Sequence, residues 1–194
     1  MQNLKSAIPK RIVLIGASTG GPGQIQKIVT SLPVLNNCSV VIAQHMVNGF
    51  FESFSSILQK NTKNHIKMID NNTPLQRATI YLCEGATYLD SAKLVFHKES
   101  SYHDGYNPDI NTIFNSFVPL SKDSKILCVI LTGIGSDGVV ACTNLSNSGA
   151  TCLTESKNSA IVDGMPNRAR ALVPNIIVND IDTIIQTISK FCDV

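Results

Sequence analysis

A serine, a histidine and an aspartate each follow a separate apolar run in this chain, in settings that suit acyl transfer. Ser18 is the centre of Gly16-Ala17-Ser18-Thr19-Gly20, a G-x-S-x-G pattern between a strand-like and a helix-like segment. Small neighbours there permit a sharp turn that presents a serine hydroxyl at a sheet edge. His45 follows the run Ser39 to Gln44, and a histidine imidazole accepts a proton near neutral pH. Asp137 lies in the loop after the run Lys125 to Thr132. A serine is a poor nucleophile until a base takes its proton, and an aspartate can hold one imidazole nitrogen and stabilise the imidazolium. The chain order Ser, His, Asp is compatible with that scheme, because such a triad is defined by geometry and roles. The backbone N–H of Thr19, with one from Ile134 or Gly135, could stabilise an oxyanion.

The same loop supports a second reading. Gly133, Gly135 and Gly138 are spaced as G-x-G-x-x-G after an apolar run, and Glu155 ends the next run, about where a ribose-binding carboxylate belongs. Asp137 argues against it, since it carries negative charge into the place of two phosphates. The first strand-to-helix turn also carries the serine elbow in place of the glycine fingerprint. A catalytically silent binding module is a third class. His97 and His103, with Asp104, flank a polar turn without the compact ligand cluster of a metal site, so no metal and no cofactor is expected. Asp109 suits a helix-start carboxylate.

These residues need elements to position them. Arg11 to Gly16 and Ser39 to Gln44 read as strands buried on both faces, each followed by a helix: residues 21–32, and 49–60 with Phe50, Phe51, Phe54, Ile57 and Leu58 on one face. Residues 65–69, 78–83, 86–90 and 93–98 read as shorter strands, the last two joined through Ser91 and Ala92 as a hairpin. Asn107 and Pro108 suit the cap and first turn of a helix in which Ile110, Ile113, Phe114 and Phe117 share a face. A strand at 125–132, a helix from Gly138 to about Ser148, a strand at 150–155 and a helix-prone stretch at 165–172 follow. A last amphipathic helix carries Ile181, Ile184, Ile185, Ile188 and Phe191 on one side. Alternating strands and helices imply an α/β, three-layer, doubly wound and mostly parallel sheet, Rossmann-like, with a small β-hairpin. In such sheets chemistry gathers at the carboxyl ends of the strands.

Composition agrees with one soluble domain. The chain has 194 residues, 43% of them hydrophobic, with a formal charge of +2; that is too little basic excess for a nucleic-acid surface. The six cysteines form no C-x-x-C pair, as expected of buried reduced thiols in a cytoplasmic protein. Neither a membrane span nor an export signal is indicated.

Taken together, "IGASTGGPGQIQKIV", "VVIAQHM" with "GFFESFSSIL", "ILTGIGSDG" and "SAIVDGMPNRA" resemble, in order and spacing, the catalytic domain of the chemotaxis protein-glutamate methylesterases, the CheB family. The resemblance runs from about Arg11 to the last helix. It implies hydrolysis of γ-methyl esters on the cytoplasmic helical region of methyl-accepting chemotaxis receptors, with release of methanol and often glutamine deamidation. It implies Ser18 as nucleophile, His45 as base, Asp137 as orienting acid, and Thr19, Ile134 and Gly135 around the oxyanion and substrate. The expected organisation is an extension over residues 1–10 and a catalytic domain over 11–194. Family members usually carry an N-terminal phosphorylatable receiver, so activity without a phosphodonor is expected here. Ile134 stands where the family commonly has methionine, and "MVNG" replaces a more proline-rich turn.

Overall fold

A computed structural model of the chain describes residues 8–99 and 107–193. Seven parallel strands form the main sheet: β1 (Arg11–Ala17), β2 (Cys38–Gln44), β3 (His65–Met68), β5 (Thr79–Leu82), β8 (Lys125–Ile130), β9 (Thr151–Glu155) and β10 (Ile177–Asn179), in the order β10-β9-β8-β1-β2-β5-β3. From β1 the chain winds first toward β2 and later returns to build outward from β8. The order therefore reverses between β1 and β8, which is where a doubly wound sheet opens a crevice at its carboxyl edge.

The continuous apolar strands are explained by burial on both faces. In β1, Ile12 and Leu14 enter one core while Val13, Ile15 and Ala17 enter the other, as the two-residue period of a strand requires. Helices α1 (Gly21–Ser31), α2 (Phe51–Lys60) and α6 (Ile181–Cys192) cover one face. Helices α3 (Ile110–Asn115), α4 (Val139–Asn147) and α5 (Gly164–Leu172) cover the other. The expected three-layer, doubly wound architecture is what the chain forms. No helix among the described residues is long and apolar enough to cross a membrane.

The expected hairpin is present, and several details of its turn and of the helices need correction. The hairpin, β6 (Ala86–Asp90) with β7 (Val95–Glu99), stands outside the main sheet and pairs with β4 (Thr73–Pro74) in a separate three-stranded sheet. Its turn spans residues 91–94, longer than Ser91 and Ala92. Helix α3 is capped by Asp109, whose Oδ1 accepts from Thr112 N at 2.8 Å, so Asn107 and the cis-linked Pro108 precede the helix. In α2 only Phe51, Phe54 and Leu58 are buried. Phe50 and Ile57 are exposed, because a ten-residue helix on a sheet buries a stripe narrower than the five residues suggested. All six cysteines are free and buried. His103 and Asp104 lie outside the described residues, and His97 meets Asn71 Oδ1 at 3.3 Å and stacks on Tyr88.

One contact ties the packing to the sheet edge. Gly16 faces Ile110 and Phe114 so closely that a Cβ there would sit 2.9 Å from Ile110 Cγ2 and 3.3 Å from the Phe114 ring. Phe114 is wholly buried. Phe114→Ala is expected to destabilise the fold by about 3–5 kcal/mol through the lost burial and the cavity left behind. An unchanged urea midpoint at unchanged slope would contradict this packing.

Candidate active site

Ser18 leaves the end of β1 and His45 the end of β2, strands paired in register up to Ala17 opposite Gln44. The backbone continues the pairing past the strand ends, since His45 N donates to Ala17 O at 2.9 Å. On the other side, Ser18 N donates to Thr132 O at 2.9 Å, which brings in the loop after β8. Gly133 in that loop approaches Ser18 so nearly that a Cβ on it would lie 2.7 Å from Ser18 Cβ and 2.3 Å from Met165 Sδ. Only glycine fits that contact. Gly20 and Gly138, which cap α1 and α4, both have φ near the left-handed region, at 85° and 83°, a backbone that glycine adopts without strain.

His45 and Asp137 meet directly: Nε2 of the imidazole lies 2.8 Å from Asp137 Oδ2, and both side chains are nearly buried, at 6% and 11% exposed. Asp137 also accepts from Ile110 N at 2.9 Å, Asn111 N at 3.0 Å and its neighbour Gly138 N at 2.8 Å. Burial works against its charge, yet the bond from His45 and those from the Ile110 and Asn111 N–H groups outweigh it and hold the carboxyl below its ordinary range. An ionised Asp137 accepts the Nε2 proton, so Nδ1 is the imidazole nitrogen suited to exchange a proton with a serine.

The remaining expected residues line the same edge. Thr19, Ile134 and Gly135 are exposed around Ser18, and their backbone N–H groups donate to no protein acceptor among the described residues. Ile134 is 55% exposed, and Ile161, 65% exposed, leans over Gly20. The site is thus a polar centre with an apolar rim, able in chemical terms to attack, and stabilise an oxyanion at, a carbonyl carbon.

Three contributors were not read from the sequence. Gln44 is buried and donates from Nε2 to Ser18 O at 2.8 Å and His45 O at 2.7 Å, holding the two turns together. A polar residue closing an apolar strand was the signal available. The start of α3 holds Asp137, and Met165 fills the space against Gly133; neither has a local sequence signature. Glu155, the acid of the dinucleotide reading, is fully buried and accepts from Thr132 N, Gln24 Nε2 and Ser159 Oγ, so it does not face a ribose. Among the described residues, the one set of groups close enough to share a metal ion is the thiols of Cys128, Cys142 and Cys152, within 4.8 Å of one another in the core. Burial, together with the neighbouring thiols, pushes the Cys128 thiol up, as for thiols that serve as core side chains.

The family model described as CheB methylesterase matches residues 13–188. A protein-glutamate methylesterase/protein-glutamine glutaminase from Halalkalibacterium halodurans is 31% identical over 198 aligned positions, covering 97% of this chain and 56% of its own length. One of the same description from Oceanobacillus iheyensis is 34% identical over 174, covering 86% of this chain and 49% of its own length. The chain therefore spans about half the length of the curated relatives it matches. The crystal structure of the Thermotoga maritima CheB methylesterase catalytic domain superposes with a TM-score of 0.82 at 26% identity, over 92% of this chain and 97% of that one.

The environment of Asp137 fixes a pH dependence. Its folded-state pKa lies below the ordinary value, so its bonds stabilise the fold fully above the usual carboxylate range and are lost as pH falls through the lower folded value. In urea titrations below that range, the parent should lose stability with acid more steeply than Asp137→Asn. Equal acid-side slopes would show that the carboxylate is not held as described.

Proposed function

The chain belongs to the CheB methylesterase family, and from that premise we propose that Ser18, His45 and Asp137 hydrolyse γ-methyl esters of receptor glutamates, residues 11–194 forming the catalytic unit. The observation that carries this reading is the 2.8 Å bond between His45 Nε2 and Asp137 Oδ2 at a strand end adjoining the Ser18 turn.

In this mechanism Ser18 Oγ attacks the ester carbonyl carbon as its proton passes to His45 Nδ1. Asp137 holds the imidazolium by its ionic bond to Nε2. The carbonyl oxygen becomes an oxyanion facing the N–H groups of Thr19 and of Ile134 or Gly135, donors fixed before the charge develops. Collapse of the tetrahedral species expels methanol, which takes its proton from His45. Water, deprotonated by His45, then releases the glutamate carboxylate from Ser18. With a glutamine side chain the same steps expel ammonia, the glutaminase reaction named for the relatives.

The substrate in this reading is the cytoplasmic helical region of methyl-accepting chemotaxis receptors, which places the protein in the cytoplasm. Ile134 and Ile161, both exposed at the rim, offer apolar contact beside the ester. The replacement of the family's methionine by Ile134 leaves its backbone N–H available.

Ser18→Ala should lower methanol release from methylated receptor on the order of a thousandfold or more, with the fold intact. His45→Ala should behave alike, and the double variant should lose little more than either alone, since nucleophile and base act as a unit. Near-parental turnover in folded Ser18→Ala, or multiplicative losses in the double variant, would remove the serine mechanism.

A further inference from the structure

Glu155 is the one fully buried acidic or basic side chain among the described residues. Its place at the end of β9 is two strands away from the Ser18 turn in the sheet order. Yet the carboxylate ties helix α1, which follows β1, to the loop after β8 and to the loop after its own strand. Oε1 accepts from Gln24 Nε2 at 2.7 Å, in the first turn of α1, and from Ser159 Oγ at 3.0 Å; Oε2 accepts from Thr132 N at 2.7 Å, beyond β8. Burial pushes the Glu155 carboxyl up, while Ser159, Thr132 and Gln24 act in the opposite sense. An ionised carboxylate fits this setting because three donors converge on it and it offers acceptors only.

Thr132 carries the constraint to the nucleophile. Its carbonyl accepts from Ser18 N at 2.9 Å, and its hydroxyl donates to Thr19 O at 2.9 Å while accepting from Val162 N at 2.8 Å. Ser18 O, between these two contacts, accepts from Gln44 Nε2 and from Gly21 N. The peptide groups on both sides of Ser18 are therefore clamped, and with them the direction of the Thr19 N–H. We propose that Glu155 is a positioning residue for Ser18: through Thr132 it fixes the turn that aims the hydroxyl and the Thr19 N–H.

The inference rests on Ser18 being the nucleophile, and the test separates the two ideas. A fluorophosphonate probe reports serine attack without any receptor, and intact mass gives both the fraction labelled and its rate constant. Glu155→Ala should label at a rate constant lower on the order of a hundredfold, the loss expected of a misplacement near 1 Å. Its methyl ester turnover should show reduced kcat with KM unchanged. Glu155→Gln should recover to within about threefold of the parent, because the new amide oxygen can keep Thr132 N and its NH2 can donate to Gln24 Oε1, an atom without a partner among the described residues, after that amide turns over.

A reduced labelled fraction at an unchanged rate constant would mean that Glu155 only supports the fold, and overturns the proposal. So would Glu155→Gln as slow as Glu155→Ala. If Glu155→Ala does not fold, Thr132→Val and Thr132→Ser decide: the first removes the hydroxyl link to Thr19 O and should label on the order of tenfold more slowly, the second should restore it. Parental labelling by Thr132→Val overturns the proposal. Equal labelling of parent and Ser18→Ala would instead strike the nucleophile assignment, and the proposal with it.

Discussion

Everything at the candidate site depends on β1 being paired in parallel on both sides. Gly16 lies opposite Ala43 in β2 and Ile130 in β8, so the three strands end together and their loops leave the same edge. Parallel pairing makes this possible, because neighbouring strands then point their carboxyl ends the same way. Register makes it specific: a one-residue slip would turn every side chain to the opposite face and exchange Gln44 with His45 at the strand end. The slip is opposed by the apolar residues of β1, β2 and β8, which are divided between two cores and buried in both. Hydrophobic partition thus determines which side chains can reach the crevice.

Within that frame, two carboxylates do different work because they are bonded differently. Asp137 keeps slight exposure and receives an imidazole N–H and three backbone N–H groups, enough to hold it ionised despite burial. Glu155 is enclosed and receives only neutral donors, and the nearby Asp163 adds a like charge. Arg170 is no remedy for the Glu155 side chain, since its guanidinium holds Asp163 at 2.7 Å and the Glu155 backbone carbonyl. A carboxylate paired with an imidazole suits charge stabilisation. One ringed by neutral donors suits fixing geometry.

The layered sheet and its helices were legible because both are written in periodicity. Continuous apolar runs gave β1, β2 and β8, and the four-residue spacing of Ile184 and Ile188 gave the buried stripe of α6. What escaped was set by tertiary contact. β10 is short and half-exposed, so Ile177 and Val178 carry no alternation to read, and it exists by pairing with β9. The two-residue β4 exists by pairing with β7. At the site, Ser18, His45 and Asp137 stood out by residue type at strand ends. The supports did not, because the contacts of Gln44 with Ser18, of Thr132 with Ser18 and Thr19, and of the start of α3 with Asp137 join groups far apart in the chain.

Helix α3 explains why a glycine pattern associated with phosphate can serve a carboxylate instead. Ile110 Cγ2 lies 2.9 Å from where a Cβ of Gly16 would be and 2.6 Å from that of Gly138. The start of α3 is thereby wedged between the end of β1, which leads into the Ser18 turn, and the Asp137 loop. In a dinucleotide site the glycines let backbone N–H groups approach a pyrophosphate. Here the N–H groups of Ile110, Asn111 and Gly138 converge on the Asp137 carboxylate, an anion belonging to the chain itself. The need for donors and close approach is the same, and the resident charge occupies the place of an incoming one. Asp137, the residue that opposed the dinucleotide reading from within its own motif, is the group that the motif's last glycine, Gly138, helps to hold, by its own N–H and by admitting the start of α3.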